Sequence, residues 1–248
     1  MMKKETLIHF IDKYSLGEIL RAVVWKYVAA DKVLKTRGEL PNRTFVMDVV
    51  MNGFTEFSED VRIPIVETPK VRAMLSPLQE NITLTLEKNG DRVVGFIASD
   101  ADCECRCTAG EFNAIPPAAK DLIDSHTYDV EVSLTEEFTN TFLKAKVALS
   151  EIDEVTVRMN KKDQLEFVLG YSVANTNRIS ILAPTVAGKD KLQGQPIKYS
   201  TDCLVEILKA NKEIPDGKLH LRSGGVAKFI YKNDLFQCTY WQLPKIKK

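Results

Sequence analysis

The chain has no surplus of either charge. Its 34 basic and 34 acidic residues leave a formal net charge of zero, so nothing global pulls it toward nucleic acid. Any basic face must come from charges segregated onto one side. No run approaches the ~20 consecutive apolar residues of a membrane-spanning helix. Met1-Met2-Lys3-Lys4-Glu5 leads straight into a strand-like run with no apolar signal region, and a cytoplasmic protein is expected. The five cysteines are odd in number, which points to a reducing compartment rather than a disulfide framework. Histidines are scarce. His9 and His220 fall inside strand-like runs, and His126 follows Asp124 and Ser125, neighbours in sequence that do not make a triad without spatial convergence. Gly188-Lys189 lacks the upstream glycine and the hydroxyl residue of a phosphate-binding loop. Glu136/Glu137 and Asp153/Glu154 read as helix starts and loops rather than catalytic carboxylates. No enzymatic activity and no cofactor are expected.

What is present is an ordinary globular composition, 44% hydrophobic and 27% charged, long enough for one large domain or two of about 120 residues. Cys103, Cys105 and Cys107 alternate with Glu104 and Arg106. Zinc sites space their chelating pairs by two to four residues and need a second cluster. Period-2 spacing instead puts the three thiols on the buried face of a strand. No metal site is expected.

The chain reads as four copies of one unit: a strand, a short amphipathic helix, then two or three strands joined by tight turns. The last copy is clearest, with a strand at 195–200, a helix at 201–211 and a meander over 218–222, 226–231 and 235–243. In the first copy, 6–12 reads as a strand. Ser15 with Glu18 reads as a capping box opening a helix through Leu16, Ile19, Leu20, Val23 and Val24, ending near Ala29 or Ala30. Strands at 32–37, 44–51 and 61–67 follow.

The second copy has Thr68 as an N-cap candidate, Pro69 at the first helical position and Pro77 as a stop. Its strands, 82–86 and 92–98, are joined at Asn89-Gly90, and 102–108 completes the sheet. Residues 109–127, with Gly110, Pro116 and Pro117, read as an interdomain connector. The third copy has a strand at 128–134, Ser133 or Thr135 as N-cap, and a Phe138, Phe142, Ala145, Leu149 stripe. Its strands are 154–159, 164–171 and 178–183, and 184–194 reads as a polar loop. The domains expected are therefore 1–108 and 128–248, flanking the connector.

On this reading the helices carry Arg21 and Lys26, Lys70 and Arg72, Lys144 and Lys146, and Lys209 and Lys212. Macrodipole preference alone accounts for much of this pattern. A second reading adds the bases into one positive surface that contacts phosphates without reading bases.

The last copy also resembles a known family. Gly224-Gly225-Val226-Ala227-Lys228-Phe229 is similar to a segment of the DNA sliding clamps of T-even bacteriophages. Tyr240-Trp241-Gln242-Leu243-Pro244-Lys245-Ile246 resembles the aromatic-x-x-Ala-Pro-Lys/Arg-Ile close of cellular proliferating-cell-nuclear-antigen clamps, with Leu243 in the alanine position. The resemblance implies an α+β fold of two pseudo-symmetric clamp domains, each with two helices packed on antiparallel sheet, in a head-to-tail homotrimeric ring.

It implies a processivity factor that encircles double-stranded DNA without sequence preference and tethers a DNA polymerase, with a clamp loader as a further partner. A phage origin would place it in a bacterial cytoplasm. Carried onto this sequence, Arg21, Lys70, Lys144 and Lys209, with Lys26, Arg72, Lys146 and Lys212 behind them, would face DNA. Phe112, Ile115 and Pro116 of the connector and Leu243, Pro244 and Ile246 of the tail would form a partner-peptide pocket. Within the fold, the alternative is a non-ring processivity factor holding DNA electrostatically. In a third class, an enzyme or metal protein would be built on the cysteine tract.

Overall fold

Strand and helix recur in one order four times. The computed structural model of the chain describes residues 1–117, 127–171, 177–184, 186–188, 196–223 and 225–245. His126, Gly224, Ile246, residues 189–194 of the polar loop and 118–126 of the connector lie outside them.

Copy one is β1 (Met2–Lys3), α1 (Lys4–Ser15), β2 (Val23–Val28), β3 (Val33–Glu39) and β4 (Phe45–Asn52). Copy two is β5 (Val61–Ile65), α2 (Thr68–Met74), β6 (Asn81–Asn89), β7 (Arg92–Ser99) and β8 (Glu104–Thr108). A 3-10 turn over Phe112–Ala114 follows. Copy three is β9 (Val130–Leu134), α3 (Glu136–Ala148), β10 (Glu154–Met159), β11 (Leu165–Leu169) and β12 (Ile179–Leu182). After β13 (Val186–Ala187), copy four is β14 (Ile197–Ser200), α4 (Thr201–Ala210), β15 (Gly217–Leu221), β16 (Ala227–Lys232) and β17 (Phe236–Gln242).

The first copy corrects the expectation. Residues 6–12 are helical, not a strand, because Leu7, Phe10, Ile11 and Tyr14 recur at helical spacing and are all buried. The Ser15–Glu18 pair ends that helix instead of opening one. Leu16, Gly17 and Glu18 all have positive φ (48°, 60° and 74°), and the Leu16 N–H donates to the Asp12 carbonyl, a left-handed helix end. Val23-Val24-Trp25-Lys26-Tyr27-Val28 then alternates buried and open positions as a strand. Arg21 therefore lies in the link between α1 and β2, and Lys26 on β2; neither is on a helix. Within the loop read at 184–194, Val186 and Ala187 form a strand paired with Val132 and Glu131.

Of the other local readings, one stands and two shift by a residue. Thr135 caps α3, its hydroxyl accepting from the Phe138 N–H at 3.2 Å. The β6–β7 turn is Gly90-Asp91, one residue beyond the expected pair, with Asn89 opposite Arg92 and Gly90 at φ 60°. Thr68 is the first residue of α2 rather than its cap, and its hydroxyl lies 3.5 Å from the Tyr14 phenol.

By contacts the chain forms two compact units: Met1–Ala119 with Asn233–Cys238, and Lys120–Lys232 with Thr239–Lys248. Each unit has two runs of hydrogen-bonded antiparallel strands. In the first unit these are β1-β6-β7-β8 and β4-β3-β2-β5; in the second, β12-β11-β10-β14 and β13-β9-β15-β16 continued by β17. The orders show a strand exchange. The leading strand of each copy pairs with the meander of the other copy in its unit: β1 with β6, β5 with β2, β9 with β15, β14 with β10. A helix separates each leading strand from its own meander, so a copy completes its sheet only when its neighbour is present.

In the first unit α1 lies against β3 and β4 and beside α2. Phe10, Tyr14, Trp25 and Phe96 fill that core, with Trp25 and Phe96 stacked at 5.3 Å between ring centroids. Gly95 permits the close approach of β8, since a Cβ there would stand 2.4 Å from the Cys107 carbonyl oxygen. In the second unit α3 and α4 pack together over Phe138, Phe142 and Phe167.

Candidate nucleic-acid interface

The helices place the expected bases unequally. α3 begins with Glu136 and Glu137 and ends with Lys146, the polarity its macrodipole favours. Lys146 Nζ donates to the carbonyls of Ser150 and Ile152 at 2.6 and 2.7 Å and lies 3.8 Å from Asp202 on α4. It closes a helix end rather than facing solvent. Lys144, two residues earlier on an open position, has no hydrogen bond or ion pair among the described residues.

On α4, Lys209 is exposed and pairs with Glu206 at 2.8 Å. Lys212 follows the helix and lines a groove of about 550 Å³ shared with Glu136, Glu213 and Asp216, so its field is offset locally. On α2, Lys70 lies 3.5 Å from Glu67. Arg72 crosses to α1 with two bonds to Asp12, 2.5 and 3.1 Å long.

α1 lends no base to an outer face. Lys4 Nζ donates to the Ser76 and Leu78 carbonyls, and Lys13 is fully buried with its ammonium 4.9 Å from the Phe236 ring centroid. Arg21, between α1 and β2, is 3.7 Å from Glu18. Exposed pairs of this kind are worth little, so a phosphate can compete for Lys70 or Lys209 at small cost. The described helix faces suit weak ionic contact and offer no arrangement for reading bases.

The connector residues do converge. Phe112, Ile115 and Pro116 line a groove of about 560 Å³ in the first unit, with Lys26 among its other walls. The Arg62 guanidinium lies over the Phe112 ring at 5.1 Å, and Phe112 is 48% exposed. The tail residues belong to the second unit. There Leu243 is 41% exposed, and Lys245 is tied by its N–H to the Lys198 carbonyl at 2.8 Å and by Nζ to Asp153 at 2.9 Å. Sequence reasoning missed Lys35 and Arg62 in the connector groove; their convergence with Lys26 depends on strand register, which no local pattern encodes.

The cysteine tract alternates with its charged neighbours as expected, but of the three thiols only Cys107 is fully buried, and Cys103 stands one residue before β8. Cys103 and Cys105 are half-buried, and Glu104 and Arg106 are exposed. The Cys105 thiol donates to the Met74 carbonyl at 2.9 Å.

Comparison with known structures decides what this arrangement is. An A. fulgidus PCNA solved with the C-terminal region of FEN-1 bound superimposes with a TM-score of 0.74 at 13% identity, over 100% of this chain and 98% of that one. PCNA from Entamoeba histolytica gives 0.72 at 14% identity over 98% and 96%. The chain has the DNA sliding-clamp fold. A match in the PCNA2–PCNA3 complex of Sulfolobus tokodaii gives 0.71 at 13% identity over 99% and 98%. No protein-family model matches the chain, and no curated protein matches it in sequence. The clamp fold thus persists here at an identity where sequence comparison finds nothing. The four-copy repeat is the part of the clamp fold that the sequence displays.

Proposed function

We propose that this protein is a DNA sliding clamp: three copies close head to tail around duplex DNA and hold a DNA polymerase at its template, without chemistry of their own. The observation that carries this reading is the match over essentially the whole chain to PCNA structures, at TM-scores of 0.71 to 0.74. The charge pattern supports it. A clamp must slide, and mostly paired, exposed lysines with a zero net charge give weak, non-specific phosphate contacts. Lys70, Lys144 and Lys209 are the DNA-facing bases of this reading, with Arg72 beside them. Arg21, Lys26 and Lys212 leave the helix set because none is helical, and Lys146 leaves it because its ammonium closes the end of α3.

Free sheet edges support ring closure. Among the described residues β8 ends one sheet of the first unit and β12 ends one of the second, and such edges of five and four residues are templates for another chain. Leu182 on β12 and Val147 on α3, which packs beside β12, are 49% and 80% exposed, an apolar edge that suits burial against the next copy. Tethering then works through effective concentration, since a polymerase that lets go stays beside its template. The connector groove is the proposed docking place for its peptide.

Light scattering tests assembly: the expected mass is about three times the 27.9 kDa protomer, and a strict monomer at micromolar concentration would overturn the ring. Charge reversal of Lys144 and Lys209 to Glu is expected to lower polymerase stimulation while leaving that mass unchanged; unchanged stimulation would remove those helices from the DNA face.

A further inference from the structure

The sheet β4-β3-β2-β5 has one face against α1 and one away from it. Trp25, Tyr27, Leu34, Thr36, Ile63 and Ile65 are buried, so strand alternation sends their neighbours Lys26, Lys35 and Arg62 to the other face. Register aligns those neighbours. Arg62 stands directly opposite Lys26, and Lys26 directly opposite Lys35, making a row of three cations across three adjacent strands within about 10 Å. Among the described residues none of the three has an ion pair with a carboxylate. Like charges directly opposite one another destabilise a sheet, and a single glutamate at position 26 would pair both ways. This sequence keeps the repulsion.

The row floors the connector groove, whose lining holds four basic residues and one acid, Asp48, with Arg37 opposite that acid in the next row. Phe112, Ile115 and Pro116 give it an apolar wall. We propose that this groove binds an acidic peptide segment of a partner protein, its carboxylates on Lys26, Lys35 and Arg62 and an apolar side chain against Phe112. The charge complementarity selects the acids, and the apolar wall selects peptide over duplex DNA, whose bases are paired and stacked and whose exposed backbone has no apolar group to place against Phe112 and Ile115. The inference deepens the tethering reading and rests on it only for the partner being a replication protein.

The test uses the full chain and a fluorescein-labelled octapeptide in which glutamates flank a Phe-Leu pair, followed by anisotropy. Binding is expected to weaken about tenfold or more in the Lys26→Glu/Lys35→Glu variant and with rising salt, and to be lost when the glutamates become glutamines. The variant's melting temperature should stay nearly level, because the glutamate at position 26 gains an ion pair with Arg62 while the two new glutamates repel as the two lysines did. Equal binding of the glutamine peptide, undiminished binding by the folded variant, or displacement of the peptide by a short DNA duplex would each overturn the proposal. Light scattering on the same samples separates it from the clamp reading. A trimer that ignores the peptide sinks the groove alone, and a monomer that binds it sinks the ring alone.

Discussion

Half-burial of the His220 ring on β15 sets part of the response to acid. Burial lowers its pKa below the ordinary 6.5; Glu131, 3.8 Å away, opposes that shift, while Lys228 and Lys218 add to it. The unfolded chain therefore takes up the proton first, and this contribution to stability is present above about pH 6.5 and lost as pH falls toward the lowered folded value. His220→Gln is expected to flatten the decline in melting temperature between about pH 7 and pH 5; an unchanged decline would show that the histidine does not carry it. Burial also pushes the Cys107 thiol up to about 11, so the native protein should resist alkylation at that residue at pH 8 while the denatured chain reacts, as peptide mass mapping would show. The alternation of thiols with Glu104 and Arg106 was legible because period 2 is written in the sequence itself. The pairing of individual lysines was not, since Lys146 finds its carbonyls only after α3 has ended and the chain has turned.

Elements were readable where pattern and punctuation agreed. At α3 a capping threonine, two acids and a spaced aromatic stripe all point one way, and the helix begins where they place it. Thr135→Ala should cost about 1 kcal/mol of stability, measurable by denaturant titration; no change would mean that the hydroxyl bond at Phe138 is dispensable. At α1 the signals conflicted. The Ser15–Glu18 spacing mimics a helix start, but three successive residues of positive φ make it a helix end, and a backbone conformation has no residue signature when Leu and Glu adopt it. Trp25, expected inside a helix, instead sits on β2 against Phe10, Tyr14 and Phe96. Its replacement by Ala is expected to cost about 3–5 kcal/mol, read as a fall in the urea midpoint with little change in slope. Strand exchange between copies was illegible for a different reason: each strand's pattern records which face is buried, not which neighbour it pairs with.

For the whole molecule, four copies with a break between the second and third already suggested two related halves, and the clamp fold gives that repeat a geometry. The proposed ring would lie in contacts between copies. There the exposed edge of the second unit makes its own prediction: Leu182→Asp with Val147→Asp should split the assembly into folded protomers in light scattering, with an unchanged circular dichroism spectrum, and a persisting trimer would place the interface elsewhere.

Encirclement itself is tested most directly by topology. The protein is threaded over the ends of a linear duplex at high concentration, both ends are then blocked with streptavidin, and the salt is raised to about 0.5 M to strip ionic contacts. Retention on blocked DNA and loss from DNA with open ends is the result predicted. Equal loss from both would contradict the ring.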